Sequence, residues 1–320
     1  MALLLSLEGA LGQGILWGVM ALGVYITFRL LDFADLTVDG SFATGGAVSA
    51  VLILNGVNPW ITLIAAFAAG AVAGFVTGFF NTVCKIPPIL SGILSQIGLY
   101  SINLMIMGQS NIPLLNSGTI FSGLTSALPA DLGWISAQTL SVILVGILFA
   151  IAVVALLYWF FGTELGSAIR ATGNNMNMVR ANGVSTNWTV MAALMLSNAL
   201  ISLSGALVAQ QQGYADVKMG IGAIVMALAS IVIGETIFGK KGGFLRRLAS
   251  IVVGSIIYRM IVSVVLQLGL NPDNLKLFTA LLVAAALTIP VILDTRARNN
   301  KYKALTQAVM EEERPFDAGN

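Results

Sequence analysis

Stretch after stretch of this sequence runs for about 20 residues with almost no charge, the length a helix needs to cross a hydrocarbon core of about 30 Å. The candidates are Gly9–Leu31, Gly40–Leu54, Trp60–Val83, Ile89–Met107, Trp134–Phe161, Trp188–Val208, Ile221–Phe238, Phe244–Leu268 and Leu275–Leu293. The second is short and reads as a broken or re-entrant helix. In lipid, backbone polar groups must be satisfied within the segment. The expected fold is therefore all-α, a polytopic transmembrane bundle of about nine spans. Composition agrees: 57% of residues are apolar and 9% charged, with a mean hydropathy of +0.91, where a soluble domain carries about a quarter charged residues. Lipid, not water, has to cover most of the exterior.

Charge placement orients the bundle. The basic residues around Arg29, Lys85, Arg170–Arg180, Lys240–Arg247 and Arg296–Arg314 fall on one side of alternating spans, leaving only Lys218, Arg259 and Lys276 of the 16 elsewhere. The positive-inside rule puts that side in the cytoplasm. The expectation is an N-terminus outside and a C-terminus inside the bacterial cytoplasmic membrane. Met1–Leu7 lacks the basic flank of a secretory signal, so the first stretch reads as an uncleaved span. The organisation is then a membrane domain over 1–293, with a long internal loop at 162–187, and a cytoplasmic tail over 294–320. An external loop, Gln109–Gly133, is rich in Ser, Asn and Gly; it reads as a lid over the bundle or as a contact for an external partner.

Several chemistries are excluded. The chain has no histidine and one cysteine, Cys84. That removes an internal disulfide, the Cys/His zinc sites and the common catalytic triads. No G-x-x-x-x-G-K-[ST] loop is present, so the chain itself cradles no nucleotide. A net charge of +2 implies no nucleic-acid partner.

Within the spans, Gly70, Gly74 and Gly78 recur every four residues and mark a face for close helix packing. Between the first two spans lie Asp32, Asp35 and Asp39, beside Arg29. Charges at membrane depth are costly and point to function; for Asp39 and Ser41, at the start of the short second helix, a polar turn and a place on the translocation pathway are both open. Arg259 sits in the middle of an apolar span and has to face the protein interior, water or a partner; Glu235 is a candidate mate. Trp17, Tyr25 and Tyr100 read as packing or interfacial anchors. In the loop 162–187, short helical patterns flank Gly173 and end at Gly183, the form of a compact cytoplasmic knob.

That loop resembles the coupling loop of permease subunits in the branched-chain amino acid and ribose family of ABC importers. The pattern G-x-A-x-R-A-x-G-x-N-…-A-x-x-x-G is similar to Gly166, Ala168, Arg170, Ala171, Gly173, Asn174, Ala181 and Gly183, with Val184 where isoleucine is usual. Leu36–Gly40 resembles the family's D-L-S-V-G segment, with an extra acidic residue. Gly78–Pro88 is similar to its G-x-x-N-…-K-x-x-P-P turn, and Leu203–Ala209 to its small-residue run. At Ile233-Gly234-Glu235 a glutamate stands where many members have glycine. These departures are similar to a subgroup serving tryptophan or tyrosine systems.

The resemblance implies a type II ABC importer fold in which Arg170, Ala171, Gly173, Asn174, Met178, Ala181 and Gly183 contact a separate ABC ATPase. It further implies a second permease subunit, a homodimer in preference to a heterodimer, and an extracytoplasmic substrate-binding protein. ATP and Mg would sit in the ATPase, with no cofactor in this chain, which is then not an enzyme. The solute would be small: an amino acid, aromatic or branched-chain, or a nucleoside or sugar. The alternative is an ion- or proton-coupled transporter using Asp39, Glu235 and Arg259 as a relay; an intramembrane enzyme is disfavoured by the missing catalytic residues.

Overall fold

The computed structural model describes residues 2–115, 117–127, 136–239 and 242–268, with scattered positions between 277 and 302. Six helices are long and apolar enough to cross a membrane. The first, α1 (Ala2–Tyr25), runs on through a π-helical turn, Ile26–Leu30. The others are α3 (Pro59–Thr82), α4 (Pro88–Met107), α6 (Ala137–Phe160), α9 (Thr186–Gln212) and α11 (Phe244–Gln267). Two shorter apolar helices, α2 (Val38–Leu54) and α10 (Ala223–Phe238), complete the set. These eight coincide with the first eight spans expected from sequence, including the short second one. Of the ninth, Leu275–Leu293, ten of the 19 positions are described, all of them helical; most of the tail 294–320 and the loop from 128 to 135 lie outside the described residues.

Two helices form the axis of the bundle. In their most apolar stretches, α1 is 83% and α9 78% buried, against 28–39% for α3, α4, α6 and α11. Those outer helices show Ile64, Met105, Ile151 and Trp159 to the outside, the apolar face that lipid tails require. Because lipid is as apolar as leucine, close packing and interhelical hydrogen bonds have to hold the axis together. Gly70 and Gly74 of α3 lie against the backbone of α9 at Asn198 and Leu194, and Gly78 meets Met191. The four-residue glycine repeat is thus the seam between α3 and α9. Further along α9, Gly205 lies against the Phe42 carbonyl of α2, and Gly45 against that of Ser202. Serines add cross-links: Ser197 donates to Gly23 O at 2.8 Å, Ser202 to Ala66 O at 2.6 Å and Ser204 to Leu16 O at 2.8 Å.

The ends of the bundle differ. One end carries Arg29, Lys85, Arg170, Arg180, Arg246 and Arg247, and is called the basic end below. The other is closed by a feature the helical expectation did not contain. Two three-residue strands, β1 (Asn111–Pro113) and β2 (Tyr214–Asp216), pair antiparallel with Ile112 opposite Ala215. Ile112, Leu114, Ala215 and Val217 pack there on Met107 and Ala209. A short helix, α5 (Ile120–Ala127), follows β1.

Candidate functional site

The long loop folds into two short helices at the basic end, α7 (Glu164–Asn174) and α8 (Met176–Ala181). Their starts are written locally. Thr163 Oγ1 accepts from Gly166 N at 3.3 Å and Asn175 Oδ1 from Met178 N at 3.0 Å, each a side-chain cap for an orphan donor. Gly183 ends the pair with φ +79°, a conformation that favours glycine.

Four contacts seat this unit on the bundle. Gly173 lies against the Leu30 carbonyl at the end of the π turn, where any Cβ would collide. Arg170 Nη2 donates to Phe161 O at 2.7 Å, with its guanidinium 5.6 Å from the Phe244 ring centroid. Thr172 and Thr189 share a hydrogen bond of 2.9 Å. Arg180 Nε donates to Thr186 Oγ1 at 2.7 Å. Ala171 passes its carbonyl to Asn175 N at 2.9 Å. On the far side Met176, Met178, Ala181 and Val184 are exposed, Met178 by 51%. The seven loop residues singled out from sequence therefore divide: Arg170 and Gly173 anchor the knob, while Met178 and Ala181 face outward.

A second polar constellation lies inside the bundle, where α2 and α10 begin. Asp35, buried, accepts Thr37 N at 2.9 Å and Asn198 Nδ2 at 2.8 Å; Ser41 Oγ donates to Asn198 Oδ1 at 2.6 Å. Asn198 is roughly 18 Å along α9 from its start at Thr186, so this knot sits at depth. Next to it, the Asp39 carboxylate accepts Gly222 N at 3.0 Å and Ile224 N at 3.1 Å. An acid on one short helix thus caps the N-terminus of another, where the helix dipole favours negative charge. Gly220 lies against the Asp39 carbonyl, allowing this approach. Asp32, by contrast, is exposed, as a polar turn would be.

Glu235 and Arg259 do not meet. Glu235 Oε2 pairs with Arg29 Nη2 at 2.5 Å at the basic end. The reason is direction: α10 carries Glu235 near its end beside the π turn, whereas Arg259 lies two-thirds of the way along α11 toward the opposite end. Arg259 instead stacks on Trp17, 4.3 Å from the ring centroid, and its Nε is buried without a hydrogen-bond partner, as is the indole Nε1 of Trp17. Asp39, Glu235 and Arg259 are thus in three separate places. Asn198 was not foreseen from sequence, although an asparagine inside an apolar span is itself a signal. Among the described residues no group of three His, Cys, Asp or Glu could hold a metal.

Comparison with known proteins gives the family. The family model described as branched-chain amino acid transport system, permease component, matches residues 6–287. A tyrosine transport system permease protein of Clostridioides difficile (strain R20291) is 40% identical over 275 residues, covering 86% of this chain and 88% of the relative. The ribose import permease protein of Escherichia coli (strain K12) is 28% identical over 274 residues, 81% of this chain and 82% of that one. The galactofuranose transporter permease protein of the same strain is 28% identical over 258 residues, 80% and 71% of the two chains. No solved structure gives a significant match. The chain belongs to the family of permease components of branched-chain amino acid transport systems, and is a multi-pass membrane protein of solute transport.

Proposed function

We propose that the chain forms the translocation pathway of a binding-protein-dependent ABC importer, with α7–α8 as the element that receives the motion of a separate ATPase. The observation that carries this reading is a knob seated on the bundle by Gly173 and Arg170 and exposing Met176, Met178 and Val184 outward. Exposed apolar side chains on a polar protrusion mark a docking face, and methionine is enriched at such faces. The basic end is the cytoplasmic one in this reading. Two copies of the chain enclose the path, ATP and Mg are bound by the ATPase, and an external protein delivers the solute near 109–133.

Asp39 and Arg259 belong to the path-lining set, with Ser41 and Glu235 holding the helices that shape it. The solute is an amino acid, and the identity to a tyrosine permease favours an aromatic one. An ion-coupled relay through Asp39, Glu235 and Arg259 is disfavoured because no hydrogen-bonded chain among the described residues connects them.

The test is co-purification. Met178→Glu should abolish capture of a co-expressed ABC ATPase partner while leaving membrane insertion intact. An ATPase that binds this variant with unchanged affinity removes the coupling role.

A further inference from the structure

At the basic end, a cavity of about 450 Å³ opens between the π turn, α7, α10 and α11. Three guanidinium groups line it: Arg29, Arg170 and Arg247. Among the described residues of its wall the one acid is Glu235, and their charges sum to two positive. We propose that this cavity binds a phosphate group, and that the bound phosphate fastens α7 to the bundle.

Donor count supports it. A guanidinium has five N–H donors, of which Arg29 directs one to Glu235 and Arg170 two to Phe161 O and Ser167 Oγ. Arg247 reaches the Tyr25 side chain on the same wall. α11 adds to the field, since it starts after Gly243 with no side-chain cap and no acidic residue in its first turn, and an uncapped helix start attracts anions. Arginines arriving from three elements suit a tetrahedral phosphate anion, which offers acceptor oxygens in several directions. A phosphate so placed would link Arg29, Arg170 and Arg247, and with them the π turn, α7 and α11. It would compete with Glu235 for Arg29. The headgroup of an anionic phospholipid and a soluble phosphate share this chemistry. The proposal goes beyond the importer reading and does not depend on an ATPase docking at Met178.

The full-length permease, stripped of lipid in an uncharged detergent, is melted by tryptophan fluorescence. One arm titrates pyrophosphate against chloride at matched ionic strength. The other compares nanodiscs of phosphatidylcholine with and without phosphatidylglycerol. Occupancy at many times the dissociation constant should raise Tm by about 3 °C or more. A rise with pyrophosphate alone assigns a soluble phosphate, with phosphatidylglycerol alone an anionic headgroup, and with both a general phosphate site. Arg170→Gln with Arg247→Gln should abolish the rise. Glu235→Gln, which removes the competing acid, should tighten the titration midpoint about threefold, and decides the matter by itself if the double variant does not fold. No rise in either arm, a rise undiminished in the arginine variant, or a weaker midpoint in Glu235→Gln overturns the proposal.

Discussion

Asp39 and Arg259 are both charged groups inside an apolar bundle, and they are held in opposite ways. Asp39 accepts two backbone N–H groups at the start of α10, so its charge is compensated. Removing it leaves those donors unsatisfied: Asp39→Ala should cost about 1–2 kcal/mol, read as a lower Tm, while Asp39→Asn, keeping one acceptor oxygen, should recover part of the loss. Among the described residues, Arg259 has the Trp17 ring beneath it and a buried Nε with no hydrogen-bond partner. Replacing a poorly compensated buried charge with an apolar residue is often neutral or stabilising. Arg259→Met should therefore leave Tm unchanged or higher, yet reduce uptake in reconstituted vesicles at least about tenfold if the guanidinium meets solute. A lower Tm with uptake retained would make Arg259 a structural prop instead.

Among elements, α7 depends most on a single contact. Gly173 touches the Leu30 carbonyl so closely that no side chain fits. Gly173→Val should lift α7 off the π turn, leaving α1, α3 and α9 packed, because their glycine seams are elsewhere. The expected outcome is a variant that inserts and elutes as the parent does, but whose partner ATPase no longer responds to solute-loaded binding protein. A parent-like response would show that α7 does not transmit. What the sequence displayed about these elements follows physical range. The break after Gly173 and the stop at Gly183 are local, and were legible; the caps at Thr163 and Asn175 are equally local but were not read. The repeat Gly70, Gly74, Gly78 showed that α3 has a close-packing face, but not that Asn198 and Leu194 lie against it. The contacts of Gly173 with Leu30 and of Asp39 with Gly222 join residues far apart in the chain. Hydropathy carries no information about such pairs, and for the same reason Glu235 was matched with Arg259 rather than Arg29.

For the whole molecule, the basic end and its side of the membrane are separate matters. Packing alone brings Arg29, Arg170 and Arg247 around one cavity and Lys85 and Arg180 around another, whichever way the bundle is inserted. The cytoplasmic assignment comes from the energetics of insertion, which disfavours translocating lysine and arginine. The chain supplies its own probe for this. Cys84 is its single cysteine; it is exposed and lies next to Lys85 in the turn between α3 and α4, at the basic end. A maleimide that cannot cross membranes should therefore leave the unaltered protein unlabelled in intact spheroplasts and label it in inverted vesicles. A Cys84→Ser variant is the blank. An added cysteine at Asn111, exposed near β1 at the opposite end, should show the reverse pattern in that background. Labelling of Cys84 from the outside would invert the bundle and place α7–α8 where no cytoplasmic ATPase can reach them, so the same experiment bears on the orientation and on the coupling role that depends on it.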